Sequence, residues 1–217
     1  MTESDKEGDI YGDPTLSDVW RQRVQQYGAR CVINLTHPPQ YFDLVTAQQK
    51  QRIFPLLSAS LTGNETTLLD FGCGPGRFSP DLVRFVNGGK VVGFDVCQEL
   101  LDLAPASPNV HYTSSSAELA SDAYRGFFDV IWICLVLGGI PDEKCAVIAE
   151  GLMRNLKPGG LLFLVEHVSD SNPGSSFWRF RPFERYQAMF PQVALSKVGQ
   201  YLDLRQEVTV MTGPKVG

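Results

Sequence analysis

The sequence predicts an α/β fold of the doubly wound kind, a mostly parallel sheet with helices on both faces. Three observations carry this. Short, nearly continuous apolar runs recur at Thr67–Phe71, 90–95, 109–113, Phe128–Cys134 and 161–166. Stretches of helical period separate them, and the first run empties into a glycine-rich loop. Strands covered on both faces read as apolar runs, and their alternation with helices through right-handed crossovers makes a parallel sheet.

Taken in order, residues 1–14 are charged, Gly-rich and without period, which predicts a flexible tail. Residues 15–62 form an N-terminal helical segment. Ser17 as N-cap, Asp18 in the first turn and Gly28 as stop mark a helix over 17–27. Pro38-Pro39 must break any element. The spacing of Phe42, Val45, Ile53, Leu56 and Leu57 is roughly helical over 40–61. Residues 63–217 then hold the sheet. Further helices are expected over 80–86, from 98 to 103, over 143–156 and over 181–190, the third ended by Lys157-Pro158-Gly159-Gly160. Runs at 196–202 and 206–212 are spaced as a closing hairpin.

The chain has 217 residues, 43% of them hydrophobic, which is ample for one domain. Its net charge is −5 with both signs interspersed, so nothing invites a phosphate backbone and nucleic acid is not an expected partner. Five scattered cysteines without a CxxC pair argue against a disulfide framework or a zinc site and for a reducing compartment. The polar, acidic start is not a secretory signal, and the longest apolar run, 130–140, is too short to span a bilayer. A soluble, cytoplasmic protein without a metal is expected.

The informative stretch is Leu68-Leu69-Asp70-Phe71-Gly72-Cys73-Gly74-Pro75-Gly76-Arg77-Phe78. Glycines after a strand let the backbone turn tightly and approach a ligand. The spacing is G-x-G-x-G, not the dinucleotide G-x-G-x-x-G, and Pro75 removes one N–H that a phosphate would use. Asp70, two residues ahead of Gly72, suits a ligand with an ammonium group. Asp95 ends the next strand, where a carboxylate can accept both hydroxyls of a ribose. A nucleoside joined to a cationic amino acid answers all three, and that is S-adenosylmethionine. The bland alternative makes Asp70 a turn cap and Asp95 a helix cap.

These residues resemble the class I (Rossmann-like) S-adenosylmethionine-dependent methyltransferases of the small-molecule type. LLDFGCGPGRFS is similar to their first motif and VVGFDVCQELL to their second strand. FFDVIWICLVLGGIPD is similar to the fourth strand, and LMRNLKPGGLLFLVEH to the fifth helix and strand. The resemblance spans about residues 50–168. It implies a seven-stranded sheet whose last strand is antiparallel. It places Gly72 and Gly74, with Cys73 and Gly76, along the methionine portion, Asp95 with Val96 at the ribose, and Cys134 and Leu135 at the amino-acid end. Two departures stand out. Serines at 114–116 replace the acid that often meets the adenine, leaving Ser116 and Ala117 as its expected contacts, and Gly138-Gly139 replace a histidine or asparagine after the fourth strand.

For the acceptor, His167 at the carboxyl end of the fifth strand is the first candidate base, and His37 before the double proline the second. His167 is otherwise a histidine hydrogen-bonded in a loop, His37 part of a surface turn, and His111, in mid-strand, is read as structural. The aromatic and basic stretch 177–186 offers Trp178, Arg181 and Tyr186 as pocket residues, suiting a flat or anionic acceptor, or else ordinary packing. Trp20 and Tyr27 would cover the site from the first helix. The expected activity is methyl transfer to an N, O or C atom of a small molecule, within specialised metabolism. The alternatives are a non-catalytic cofactor-binding partner or sensor, and a nicotinamide-dependent dehydrogenase, against which Pro75 and Asp70 count.

Overall fold

The computed structural model describes residue 11 and residues 14–216. Two helices come first, α1 (Pro14–Tyr27) and α2 (Phe42–Ser60), linked through single 3-10 turns. Then follow β1 (Thr67–Phe71), α3 (Ser79–Leu82), β2 (Lys90–Phe94), α4 (Gln98–Leu101), β3 (Val110–Thr113) and α5 (Ser116–Leu119). The second half contains β4 (Phe128–Cys134), α6 (Asp142–Asn155), β5 (Leu156–His167), α7 (Phe183–Met189), β6 (Ser196–Asp203) and β7 (Gln206–Pro214). The strands form one seven-stranded sheet in the order β3-β2-β1-β4-β5-β7-β6. Strands β1 to β5 pair in parallel, and β7 runs antiparallel to both β5 and β6.

The sheet is buried on both faces, as its apolar runs require. Leu69, Phe71, Ile131, Ile133 and Leu164 point to the α6 side with Ile148 and Leu152. Leu68, Val130, Trp132, Phe163 and Val165 point to the α2 side with Ile53, Phe54 and Leu57. This is the period-two alternation of strands. Trp132 stacks on Phe163 at 5.1 Å across β4 and β5.

Four elements differ from the sequence expectation. The helix over 80–86 is one α turn followed by a 3-10 turn at Val83–Phe85, the tightening common at helix ends. Strand β5 starts at Leu156, which pairs with Phe128 before the register shifts to Val130 against Leu161. The predicted helix-ending Lys157-Pro158-Gly159-Gly160 is therefore a bulge inside the strand. Helix α7 starts at Phe183, because Arg181 bridges to Val168 in extended form and Pro182 caps the helix. Residues 1–10, 12 and 13 of the expected tail lie outside the described residues, but Tyr11 is only 2% exposed. It sits edge-on to Phe71 and Phe94, its hydroxyl accepting from Asn155 Nδ2 at 3.3 Å. No helix among the described residues is long and apolar enough to cross a membrane.

Candidate active site

At the carboxyl end of β1 the chain turns sharply. The N–H groups of Gly72 and Cys73 both donate to the Phe94 carbonyl, at 2.7 and 3.0 Å. Gly72 has φ 73° and a Cβ there would lie 2.5 Å from Val136, so any side chain is excluded by conformation and by space. The turn borders a cavity that also meets Asp70, Asp95, Val96, Cys134 and Leu135.

The two acids that border the cavity are held by different donors. Asp95 Oδ2 accepts from Gly74 N at 2.9 Å and Oδ1 from Cys97 N at 3.0 Å. Burial pushes its carboxyl up to about 6, against the pull of those two N–H groups. Each oxygen keeps a lone pair for a further donor. Asp70 is buried within β1, and Ser79 Oγ donates to its Oδ2 at 2.6 Å. Burial pushes it up to about 7, with the Ser79 hydrogen bond opposing. Two buried carboxylates repel a pyrophosphate and attract donors and cations, so the cavity suits an adenosyl amino acid and not a dinucleotide.

The loop after β4 closes the cavity. Leu135 has φ 56°, in the left-handed region that costs a branched residue about 1–3 kcal/mol. Its surroundings impose this. Leu135 N donates to the Val165 carbonyl at 2.8 Å, and the N–H groups of Val136 and Leu137 donate to Glu166 Oε1 at 2.7 and 2.6 Å. Arg181 holds the other side of the loop, donating to the carbonyls of Leu137 and Ile140 at 2.7 and 2.6 Å and to Asp142 Oδ1 at 2.7 Å.

A second cavity of about 410 Å³ adjoins the first, the two sharing Trp20, Val32 and Leu135. Its wall is aromatic: Trp20 meets Phe177 at 5.8 Å, and Trp178 and Phe180 continue it. The Trp178 ring lies on the backbone of Gly138 and Gly139, where added Cβ atoms would come within 2.6 and 3.2 Å of it. The glycines that replace a polar residue after β4 thus make room for this aromatic wall. His167 also lines the cavity, stacked on Phe180 at 4.5 Å. Its Nδ1 donates to the Glu207 carbonyl at 3.0 Å, which leaves the lone pair of the neutral ring on Nε2. Burial lowers its pKa, so the ring is neutral at pH 7.

Several expected contacts are not brought to these walls. Gly76 packs under β3, where a Cβ would lie 2.5 Å from the Tyr112 hydroxyl. Ser116 and Ala117 sit in the turn of α5, outside the cavity lining, and Glu118 there is tied to Thr113 and His111. Arg181 lies outside both linings, bonded to the loop carbonyls and Asp142. Tyr186 is fully buried, its hydroxyl donating to the His167 carbonyl at 3.1 Å. Tyr27 packs beside Val24 and Cys31, outside both linings. His37 pairs with Asp203 at 2.6 Å, behind the second cavity that Asp203 itself lines. Sequence reasoning missed Tyr11, Arg77, Glu166 and Asp203. For Glu166 a signal existed, a lone acid at the end of an apolar strand.

Residues 68–160 match the family described as a methyltransferase domain. Over 101 residues the chain is 33% identical to the ubiquinone biosynthesis O-methyltransferase of Shewanella pealeana, covering 44% of this chain and 41% of that relative. Over 128 residues it is 31% identical to the trans-aconitate 2-methyltransferase of Azoarcus sp., covering 58% and 49%. The chain thus spans less than half the length of these curated relatives. Among solved structures, magnesium protoporphyrin IX methyltransferase from Synechocystis with bound S-adenosylhomocysteine has a TM-score of 0.67 at 14% identity, covering 92% of this chain and 96% of that one. A Leishmania major S-adenosylmethionine-dependent methyltransferase has 0.67 at 19%, covering 94% and 86%. Those likenesses are of fold, and the fold is that of the Rossmann-like class I methyltransferases. Residues 68–160, less than half of the chain, carry the likeness to the methyltransferase domain family, and beyond them the likeness is one of fold.

Proposed function

We propose that the protein transfers a methyl group from S-adenosylmethionine to a small molecule seated in the second cavity. One observation carries this: the cavity bordered by the glycine turn and the aromatic cavity meet at Leu135, Trp20 and Val32, so a donor in one can reach an acceptor in the other. When bound, S-adenosylmethionine supplies a methyl group on a sulfonium, an electrophile that needs no further activation. The protein's task is alignment and exclusion of water. Asp95 accepts the ribose hydroxyls, and Gly72 and Gly74 let the chain lie close to the sulfonium. Trp20 and the 177–180 segment keep the junction dry.

His167 is the base of this reading. Its Nε2 takes the proton that a hydroxyl acceptor releases as it is methylated, and the Glu207 carbonyl holds the ring in the required tautomer. O-methyltransferases among the relatives support oxygen as the methylated atom. The aromatic wall suits a flat acceptor, and the net charge of −5 disfavours nucleic acid. The test is calorimetric titration with S-adenosylmethionine, S-adenosylhomocysteine and NADH in parallel. Binding of the adenosyl ligands alone is expected, whereas binding of NADH alone, or of none, overturns the reading.

A further inference from the structure

Arg23 stands on α1 at the wall of the second cavity, and the proposed function leaves it without a task. Rings surround this half-buried side chain in place of carboxylates. Its guanidinium lies 4.4 Å from the centroid of Phe177, 5.6 Å from that of Trp20 and 5.8 Å from that of Tyr27. Nη2 donates to the Cys31 carbonyl at 3.2 Å, and Nε is buried without a hydrogen-bond partner. Among the described residues no carboxylate pairs with it. Arg21, two positions earlier on the same helix, is paired with both Asp18 and Glu99 at 2.6 Å. The rings fix where Arg23 sits, but they do not neutralise a group that stays charged at every working pH. Its fork is matched to a carboxylate.

The other charged group on this cavity is an acid, and it stands elsewhere on the wall. Asp203 already accepts from His37 Nε2 at 2.6 Å, and its charge is felt at His167. His167 stacks on Phe180, whereas Arg23 stacks on Phe177. An anion is therefore drawn to Arg23 and repelled from the side of His167. One guanidinium balances a monoanion, and a phosphate would bring a second charge with no partner. We propose that the acceptor is a flat hydroxy acid, its carboxylate held by Arg23 and its hydroxyl at His167. This rests on the reading of the second cavity as the acceptor site with His167 as base. Because the two groups meet different rings, the carboxylate is a handle for orientation and not the atom methylated. The cation for an anionic acceptor thus comes from α1, and not from Arg181 in the aromatic stretch.

The test is calorimetry on protein saturated with S-adenosylhomocysteine. The probes are para-hydroxybenzoate, para-hydroxycinnamate and para-hydroxybiphenyl carboxylate, each beside its carboxamide. The three lengths sample the gap between the two groups, and the amide keeps the shape while losing the charge. At least one acid should bind about 10-fold or more tightly than its amide, the worth of one charge-assisted pair. Arg23→Gln should erase that preference and keep the amides within about twofold, and Arg23→Lys should recover part of it. Amides bound as tightly as acids by the native protein, or no acid bound at all, sink the proposal whether or not the variants fold. So does an Arg23→Gln protein, folded by circular dichroism, that keeps the preference or loses acids and amides alike. The readings beneath the proposal fail differently. Absence of S-adenosylhomocysteine binding overturns the cofactor reading. Acids that bind through Arg23 yet gain no methyl group from S-adenosylmethionine overturn the acceptor reading and leave an anion site standing.

Discussion

At the scale of single residues, the chemistry rests on groups whose charge is set by burial. Asp95 has two of its four lone pairs occupied by backbone N–H groups and two left for further donors, in the proposed reading the ribose hydroxyls. Asp95→Ala removes one or two charge-assisted hydrogen bonds, about 1.5–3 kcal/mol each, from S-adenosylhomocysteine binding by calorimetry. Unchanged affinity would take Asp95 out of the site. The same scale explains which residues are legible in the sequence. Asp70, Asp95 and the glycines sit at the ends of β1 and β2 in a fixed spacing, so the motif announces them even though Gly74 N reaches Asp95 21 residues away. Arg181 and Tyr186 meet partners 39 to 44 and 19 residues away. An arginine or tyrosine in an aromatic stretch reads the same whether it faces a cavity or a carbonyl, and only the fold distinguishes them.

At the scale of elements, the loop after β4 is held from both sides, its N–H groups by Glu166 and its carbonyls by Arg181. Arg181→Met leaves the carbonyls of Leu137 and Ile140 and the Asp142 carboxylate without their donor. It should cost about 2–4 kcal/mol in denaturant unfolding, as loss of a buried charged partner does. A variant of native stability but altered acceptor use would restore Arg181 to the pocket. The β6–β7 hairpin is strained differently. Leu204 and Arg205 both have positive φ, 48° and 72°, where two-residue hairpins prefer Asn-Gly. Replacing the pair by Asn-Gly should raise stability by about 1 kcal/mol, read as an upward shift in Tm. The bulge at the start of β5 and the late start of α7 escape sequence reading because pairing partners, not local propensity, decide them.

At the scale of the whole molecule, three buried acids work together. Asp95 at about 6 and Asp70 and Glu166 at about 7 all lie above the ordinary carboxylate range because burial disfavours their charge. The folded state therefore binds more protons than the unfolded one between pH 4 and 7, and stability falls as pH rises through that window. His167, whose pKa is lowered, works the other way below about 6.5, and the lowered acids Glu65, Glu99, Glu118, Asp129 and Asp142 do so below about 4.5, so the three raised acids dominate in the upper part of the window. The ligand-free protein should lose several degrees of Tm between pH 5.5 and 8, and Glu166→Gln should flatten that slope. Cofactor binding should move oppositely. An ammonium group prefers ionised Asp70, so S-adenosylhomocysteine affinity should rise over pH 6 to 8. A flat binding profile would separate Asp70 from the ligand.

The two cavities share Trp20, Val32 and Leu135 but otherwise draw mostly on different parts of the chain. The turn, both acids and the end of β4 lie within residues 68–160, the stretch that matches the methyltransferase domain family. The walls of the second cavity come from elsewhere: Trp20, His167, Phe177, Trp178 and Phe180 all fall outside that stretch. On the function proposed above, mutation of Phe177, Trp178 or Phe180 would reshape the acceptor cavity and leave the turn and both acids untouched. Lineages that diverge along this route would share a coenzyme and little else, each having drifted at its outer segments toward a different metabolite. Trp20, Val32 and Leu135 are common to both cavities, and Leu135, fixed in a backbone conformation few residues tolerate, constrains both histories most tightly.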